Sequence, residues 1–430
     1  MRFFKSLVLV LMFIPVRLYS QDAMIYQAFN ERFVDIIGQL EQLKDWGVSH
    51  VLISPPQKSL DRSEWWARYQ PVDYRFIDGP LGNESELVEL IEAANNYEIA
   101  IVADTVLNHM ADIGEFPDLR FPQFGPQDFH FAEQRPCIFD YSDRFQATNY
   151  WLCDFRADLP DLNTSSDYVR SIHLTYLKKL IDLGIRGFRW DAAVNIEVDY
   201  FRWLLPQLGE DIFQFGEVVG TSLEEVQLYT DIMKSTDFRL LIQMTRHISS
   251  QGDIQNLKPS ILSDALNPDK RISFVRNHDA DFNPGFFNFQ SIQHAALGYI
   301  YVLGGVGGVP FLYNRDMTIP EVLVSLEFRK RTRQAESNFE SLELFCQNCS
   351  RDILTWSRGN DAFVILNKSD NWHEFDFRAK DLQAGCYEEL RYEFEVCLAQ
   401  DFDGSVRLNS WAGGSRASIG SMTGLLFVRK

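Results

Sequence analysis

The sequence predicts an α/β fold: a (β/α)8 barrel, an inserted subdomain after its third strand, and a C-terminal antiparallel β-sandwich. Three observations carry this. Between residues 24 and 334, short apolar strands alternate with amphipathic helices, the pattern of a parallel sheet whose crossovers are helical. Eight such units can be placed, which closes the sheet into a barrel of the TIM type. Past about residue 340 the texture changes to short alternating runs, such as Ala362-Phe-Val-Ile-Leu and Gly424-Leu-Leu-Phe-Val, separated by Gly, Asn and Asp turns.

In chain order, residues 24–29 form the first strand, 33–46 a helix with apolar residues at helical spacing, and 48–54 the second strand. Residues 86–97 are helical and feed the third strand, 99–104. Residues 110–160 mix Pro, Gly and aromatics without periodicity; this is too long for an ordinary connection and reads as the insertion. Residues 167–183 are an amphipathic helix, 185–191 the fourth strand, 198–208 a helix and 212–217 the fifth strand. The sixth unit is the faintest, with 238–248 as part of it. Residues 272–275 are the seventh strand, 291–303 a helix and 308–313 the eighth strand. The expected division is a catalytic barrel over 21–340 and the second domain over 341–430.

Residues 1–20 have the layout of a secretory signal: Met1-Arg-Phe-Phe-Lys5, an apolar run at 7–16 and small Ser20. That run is too short to span a bilayer as a helix. Export permits disulfides, and the six cysteines suggest Cys137 with Cys153, Cys386 with Cys397, and a tight Cys346–Cys349 pair. Hydrophobic residues make up 46% of the 430 and aromatics 14%, enough for a large core with aromatics to spare for stacking on sugars. A net charge of −19 without a basic run argues against nucleic acid or anionic membrane as partners. Asn83, Asn163, Asn348 and Asn367 stand in glycosylation triplets, which matter only in a eukaryotic host.

Four of the strands end in an acid: Asp104, Asp191, Glu217 and, just beyond the seventh, Asp279. In a parallel barrel the C-terminal strand ends face one mouth, so these carboxyls converge. Any one of them alone is more simply a turn former or helix cap; four together, with Arg189 and His278 beside them, indicate a site. Paired carboxyls in opposite protonation states are the chemistry of glycosidic bond hydrolysis. Arg189, two residues before Asp191 on the same strand face, is expected to keep that carboxylate ionised. Phe213 and Phe215 would desolvate Glu217 and keep it protonated.

These segments resemble a known family. Asp104-Thr-Val-Leu-Asn-His109, Gly187-Phe-Arg-Trp-Asp-Ala192, Phe215-Gly-Glu-Val218 and Phe274-Val-Arg-Asn-His-Asp279 are similar to the four signature regions of the α-amylase family of glycoside hydrolases. Leu159-Pro-Asp-Leu-Asn163, Trp65-Trp-Ala-Arg-Tyr69 with Gln70, and Ser357-Arg-Gly-Asn360 resemble further segments of its animal-type and related bacterial members. The resemblance implies Asp191 as nucleophile, Glu217 as general acid/base and Asp279 as transition-state stabiliser. It implies Trp65, Trp66, Tyr69, Gln70, Asp104, His109, Arg189 and His278 as substrate-binding residues, with Tyr69 a stacking platform. It further implies structural Ca2+ held by Asn108, Asp161 and a carbonyl of Asn195.

The implied activity is that of a secreted, monomeric α-amylase, a retaining endo-hydrolase of α-1,4-glucans. The family pattern is broken at Val194 and Asn195, where Lys-His is usual, at bulky Trp190, and at Ala280-Asp-Phe-Asn283. Position 194 bears on the acceptor side of the cleft, so an exo-acting α-glucosidase or a maltooligosaccharide transglycosylase stays open. A catalytically inactive carbohydrate-binding homologue is the reading from another class. Chloride dependence is not predicted.

Overall fold

Eight short parallel strands form the closed barrel: β1 (Ile25–Ala28), β2 (His50–Ile53), β3 (Ala100–Thr105), β4 (Gly187–Trp190), β5 (Phe213–Gly216), β6 (Lys234–Thr236), β7 (Arg271–Phe274) and β8 (Val309–Tyr313). Each pairs with its sequence neighbour, and β1 closes the ring on β8. The structure, a computed structural model, describes residues 23–430 except 115–117, 155–156, 221, 284, 286, 334, 347–348 and 415. The expected signal at 1–20 and the Asn348 triplet's first residue lie outside the described residues.

Register positions the chemistry. Arg189 on β4 pairs with Asp104 on β3 and with Phe215 on β5, two residues short of Glu217. Gly187 of β4 has no space for a side chain: a Cβ there would lie 2.9 Å from the Phe213 carbonyl oxygen. Trp190, buried, stacks on Phe188 (5.1 Å) and meets Phe201 of the following helix at 5.9 Å, so its bulk is absorbed by the packing outside the strands.

The flanking helices include α1 (Phe33–Ile37), α2 (Leu40–Asp45), α3 (Glu84–Asn96), α4 (Arg144–Asn149), α5 (Asp167–Leu183), α6 (Val198–Leu204), α7 (Leu223–Thr230), α8 (Phe238–His247), α9 (His278–Phe282), α10 (Ile292–Gly304) and α11 (Pro320–Arg331). The single helix expected at 33–46 is broken into α1 and α2. The break falls at Gly38, a weak helix former, and Gln39, whose amide is drawn to Glu31 (2.5 Å). Asn83 opens α3 through a capping box with Glu86. Along α5 the residues Val169, His173, Tyr176, Leu177 and Leu180 are buried at helical spacing, and Gly184 ends it at φ 114°.

The insertion has little regular structure: α4, a short hairpin of Leu152–Cys153 with Asp158–Leu159, and the Cys137–Cys153 disulfide. Arg144 of α4 anchors it, with Nη2 donating to the Val194 carbonyl (2.9 Å) and Nη1 pairing with Glu225 of α7 (2.5 Å).

The C-terminal strands are β9 (Ser337–Asn338), β10 (Leu342–Phe345), β11 (Ile353–Arg358), β12 (Ala362–Asn367), β13 (His373–Ala379), β14 (Gly385–Glu389), β15 (Glu395–Gln400), β16 (Val406–Trp411), β17 (Ala417–Ile419) and β18 (Thr423–Arg429). They form one antiparallel ladder in the order β9-β11-β12-β18-β14-β15-β16-β13-β10, with β17 on β13. Phe363 on β12 nonetheless meets Phe377 on β13 at 5.6 Å, although four strands separate them in the ladder. The sheet therefore curls over its own core of Phe363, Tyr387, Trp411 and Phe427. Cys386–Cys397 and Cys346–Cys349 are both bonded.

Candidate active site

At the mouth of the barrel lies a cleft of about 660 Å3, lined by residues that include Trp65, Trp66, Tyr69, Gln70, His109, Asp191, Val194, Asn195, Glu217, His278 and Asp279. Asp104 and Arg189 do not line it; both are buried beneath its floor. Both were expected among the substrate-binding residues; here their contacts are with each other and, through Arg189, with Asp191 and Glu217.

Arg189 organises the floor. Its Nη1 donates to both Asp104 oxygens (2.7 and 2.8 Å) and to Asp191 Oδ1 (2.8 Å), while Nη2 pairs with Glu217 Oε1 (2.7 Å). Tyr69 adds its hydroxyl to Asp104 (3.0 Å). Arg189 meets Asp191 as expected and Glu217 besides: Glu217 follows the adjacent strand, and the planar fork reaches it as well. Burial raises the pKa of Asp104 and Glu217 and raises that of Asp191 far above the usual carboxylate range; Arg189 opposes each rise. Asp279 is raised too, by burial, against the pull of Arg189 and a hydrogen bond with Glu217. Four carboxyls around one guanidinium cannot all be ionised at low cost, so the site retains protons at pH values where exposed acids have lost them.

Two features place Glu217. Gly216 precedes it, and a Cβ there would meet Met233 Cε at 2.8 Å and Ala193 Cβ at 3.0 Å. That close approach brings in the segment after Asp191, where Ala192 adopts φ 46° and donates its N–H to Glu217 Oε2 (3.0 Å). A left-handed alanine is uncommon, and here the conformation aims a donor at the Glu217 carboxyl.

His278 is sandwiched between Phe29 (4.7 Å) and Tyr69 (5.0 Å), both nearly parallel to it. Its Nδ1 lies 3.1 Å from the Gln27 amide nitrogen, which leaves Nε2 to carry the proton towards Asp279 Oδ2 at 3.6 Å. Burial lowers His278 to about 4, and His109, whose Nε2 donates to the Tyr69 carbonyl (3.1 Å), also to about 4. Both rings are neutral at ordinary pH. Tyr69 thus has one ring face committed to His278.

Asn108 and Asp161 are brought side by side: Leu162 N donates to the Asn108 carbonyl (2.8 Å), and His109 bridges to Asp161. Asp161 is buried, with Oδ2 held by His130 Nδ1 (2.7 Å) and Oδ1 without a hydrogen-bond partner among the described residues. Burial raises Asp161 to about 7, against the pull of His130. The Asn108 side chain also hydrogen-bonds Asp161, and a buried carboxylate oxygen beside an amide side chain gives a hard cation oxygen to bind. The Asn195 side chain is tied to the insertion, its Nδ2 donating to the Ala147 carbonyl (2.9 Å). Gln27, Phe29, Ala192 and His130 were not anticipated from sequence; a polar Gln in an otherwise apolar first strand was the one signal available.

The profile of the family described as "Alpha amylase, catalytic domain" matches residues 33–388. An α-amylase of Aeromonas hydrophila is 32% identical over 330 residues, 67% of this chain and 70% of that one. An α-amylase-related protein of Drosophila auraria is 29% identical over 301 residues, 62% of this chain and 59% of that one. Among solved structures, a variant of α-amylase I from Eisenia fetida in complex with maltohexaose superposes with a TM-score of 0.76 at 19% identity, covering 93% of this chain and 97% of that one.

Proposed function

The chain belongs to the α-amylase family of glycoside hydrolases, and from that premise we propose that it is a secreted α-amylase cleaving internal α-1,4 bonds of starch, glycogen or maltodextrins with retention. The observation that carries the reading is the meeting of Asp191, Glu217 and Asp279 in one cleft around Arg189. Asp191 is raised by burial and is ionised when the protons the site retains sit on its neighbours, with Arg189 Nη1 at 2.8 Å to hold the carboxylate. It attacks the anomeric carbon while Glu217 protonates the departing glycosidic oxygen. Water, deprotonated by Glu217, then releases the covalent glycosyl–enzyme, which restores the α-configuration. Without ligand Glu217 is paired with Arg189 Nη2, so its acid role requires the substrate oxygen to draw it off that pair; burial has already raised its proton affinity. Asp279 and the His278 Nε2–H face the neighbouring hydroxyls, and Trp65, Trp66 and the open face of Tyr69 contact the ring.

Structural Ca2+ would be held by Asn108 and Asp161, with a carbonyl of Asn195, and would tie the insertion to the barrel. Export is supported by the three disulfides, and no helix among the described residues is long and apolar enough to cross a membrane. We take the working unit to be a monomer. The test is hydrolysis of soluble starch and of maltotriose, side by side, by wild type and Glu217→Gln. Rapid loss of starch viscosity, reduced about 10²–10⁴-fold in the variant, is the expected result. Glucose release from maltotriose with starch untouched would replace endo by exo action.

A further inference from the structure

A second concave surface, of about 770 Å3, lies on the C-terminal sheet, lined by Phe345, Trp372, His373, Glu374, Asp376 and Arg416 among others. Trp372 is 73% exposed, whereas the other eight tryptophans are buried or half-buried. An indole left in water contributes nothing to a core, and the backbone on either side of this one is fixed. Its benzo ring rests against Gly420, where a Cβ would lie 3.6 Å from Trp372 Cζ2. The fully buried Asn367 fixes both sides of that contact, its Nδ2 donating to the Asn371 carbonyl (2.8 Å) and to the Gly420 carbonyl (2.7 Å). The same side chain's Oδ1 accepts from Ser369 N and Oγ (3.0 Å each), and Ser369 Oγ contacts His373 Nε2 (3.0 Å). With its amide so engaged, Asn367 is unavailable to carry a glycan. The glycosylation triplet is instead a clamp that presents an aromatic ring.

Around the ring stand hydrogen-bonding groups of both signs. Arg416 pairs with Glu374 (3.2 Å) in the open, and Asp376 lies in register with Phe345 on the adjoining strand. An exposed aromatic ring beside carboxylates and a guanidinium matches a pyranose, which offers an apolar face for stacking and equatorial hydroxyls for hydrogen bonds. The volume is that of a small-ligand site and the lining is too charged for an apolar protein interface. We propose that this surface is a second α-glucan site, in which Trp372 stacks on a glucose unit and holds a polymer that the cleft can cut elsewhere. The choice of α-glucan rests on the functional reading above.

The test uses the full chain carrying Glu217→Gln, so that ligand survives, and measures retention on insoluble starch and retardation in native gels containing glycogen. Adding Trp372→Ala should weaken retention about five- to tenfold, while Trp372→Phe, which keeps a ring, should stay close to the parent. Equal retention of the Ala variant would overturn the proposal, as would absence of retention in the parent. A drop in sedimentation mass on Trp372→Ala would also overturn it, by showing a self-association surface. Hydrolysis by wild type is a separate assay, so a chain that binds glucan without cutting it would refute the enzymatic reading and leave this site standing.

Discussion

Replacing Arg189 with methionine removes the guanidinium shared by Asp104, Asp191 and Glu217. Taking one partner from a buried ion pair costs about 3–5 kcal/mol, and this cation serves three acids at 2.7–2.8 Å. The cost must depend on pH. Burial already lifts these carboxyls and Arg189 opposes the lift, so their folded-state pKa values rise further in the variant. An acid whose folded pKa exceeds its unfolded value, about 4, contributes stability below that value and loses it as pH climbs through the folded pKa. The variant's deficit against wild type should therefore be under about 2 kcal/mol at pH 4.5 and reach about 3–5 kcal/mol at pH 8. Urea unfolding followed by tryptophan fluorescence, comparing midpoints at constant slope, gives both values. Equal deficits at the two pH values, or less than about 1 kcal/mol at pH 8, would refute the account of Arg189 as the shared counter-charge.

Other expectations follow from the same geometry. Glu217→Gln should be far less impaired on an aryl α-glucoside whose leaving group needs no proton than on starch; equal losses would take the acid role from Glu217. Gly216→Ala should push Met233 and Ala193 aside and disturb the Ala192 N–H contact, lowering kcat about tenfold with KM little changed, as steady-state kinetics on soluble starch will read. Chelation by EDTA should lower the melting temperature of wild type, with recovery on adding Ca2+. Asp161→Asn should melt lower and respond to neither, and an unresponsive wild type would remove calcium from this site. Opening the Cys137–Cys153 link, which spans 16 residues, by Cys153→Ser should cost about 3 kcal/mol, seen as early proteolysis within the insertion.

The acids at strand ends were legible because a barrel puts every C-terminal strand end at one mouth, whatever the loops do. Asp191 and Glu217 needed only the alternation of strand and helix. What escaped depended on conformation off the regular pattern. The N–H that holds Glu217 belongs to Ala192, and nothing in an alanine announces φ 46°. The sixth strand, Lys-Ser-Thr, has two buried hydroxyl residues and no apolar run, so hydrophobic periodicity passes over it. His130 reaches Asp161 from thirty-one residues away through an irregular loop, a contact no local rule supplies. The helix expected over 33–46 followed its apolar spacing correctly on either side of a glycine that interrupts it.

The pairing of Ile25 with Phe311, which closes the barrel, also sets a clock. The two partners belong to the first and last strands, so the ring cannot seal until over three hundred residues have been made. At ribosomal speeds of about 5–20 residues per second, that leaves β1 waiting about 15–60 s for β8. Throughout that interval the growing sheet carries open edges of unpaired backbone, the surface on which strands from other chains would add. Assembly of this protein is thus limited by non-local contact, and its yield should rise when fewer unfinished chains are present at one time.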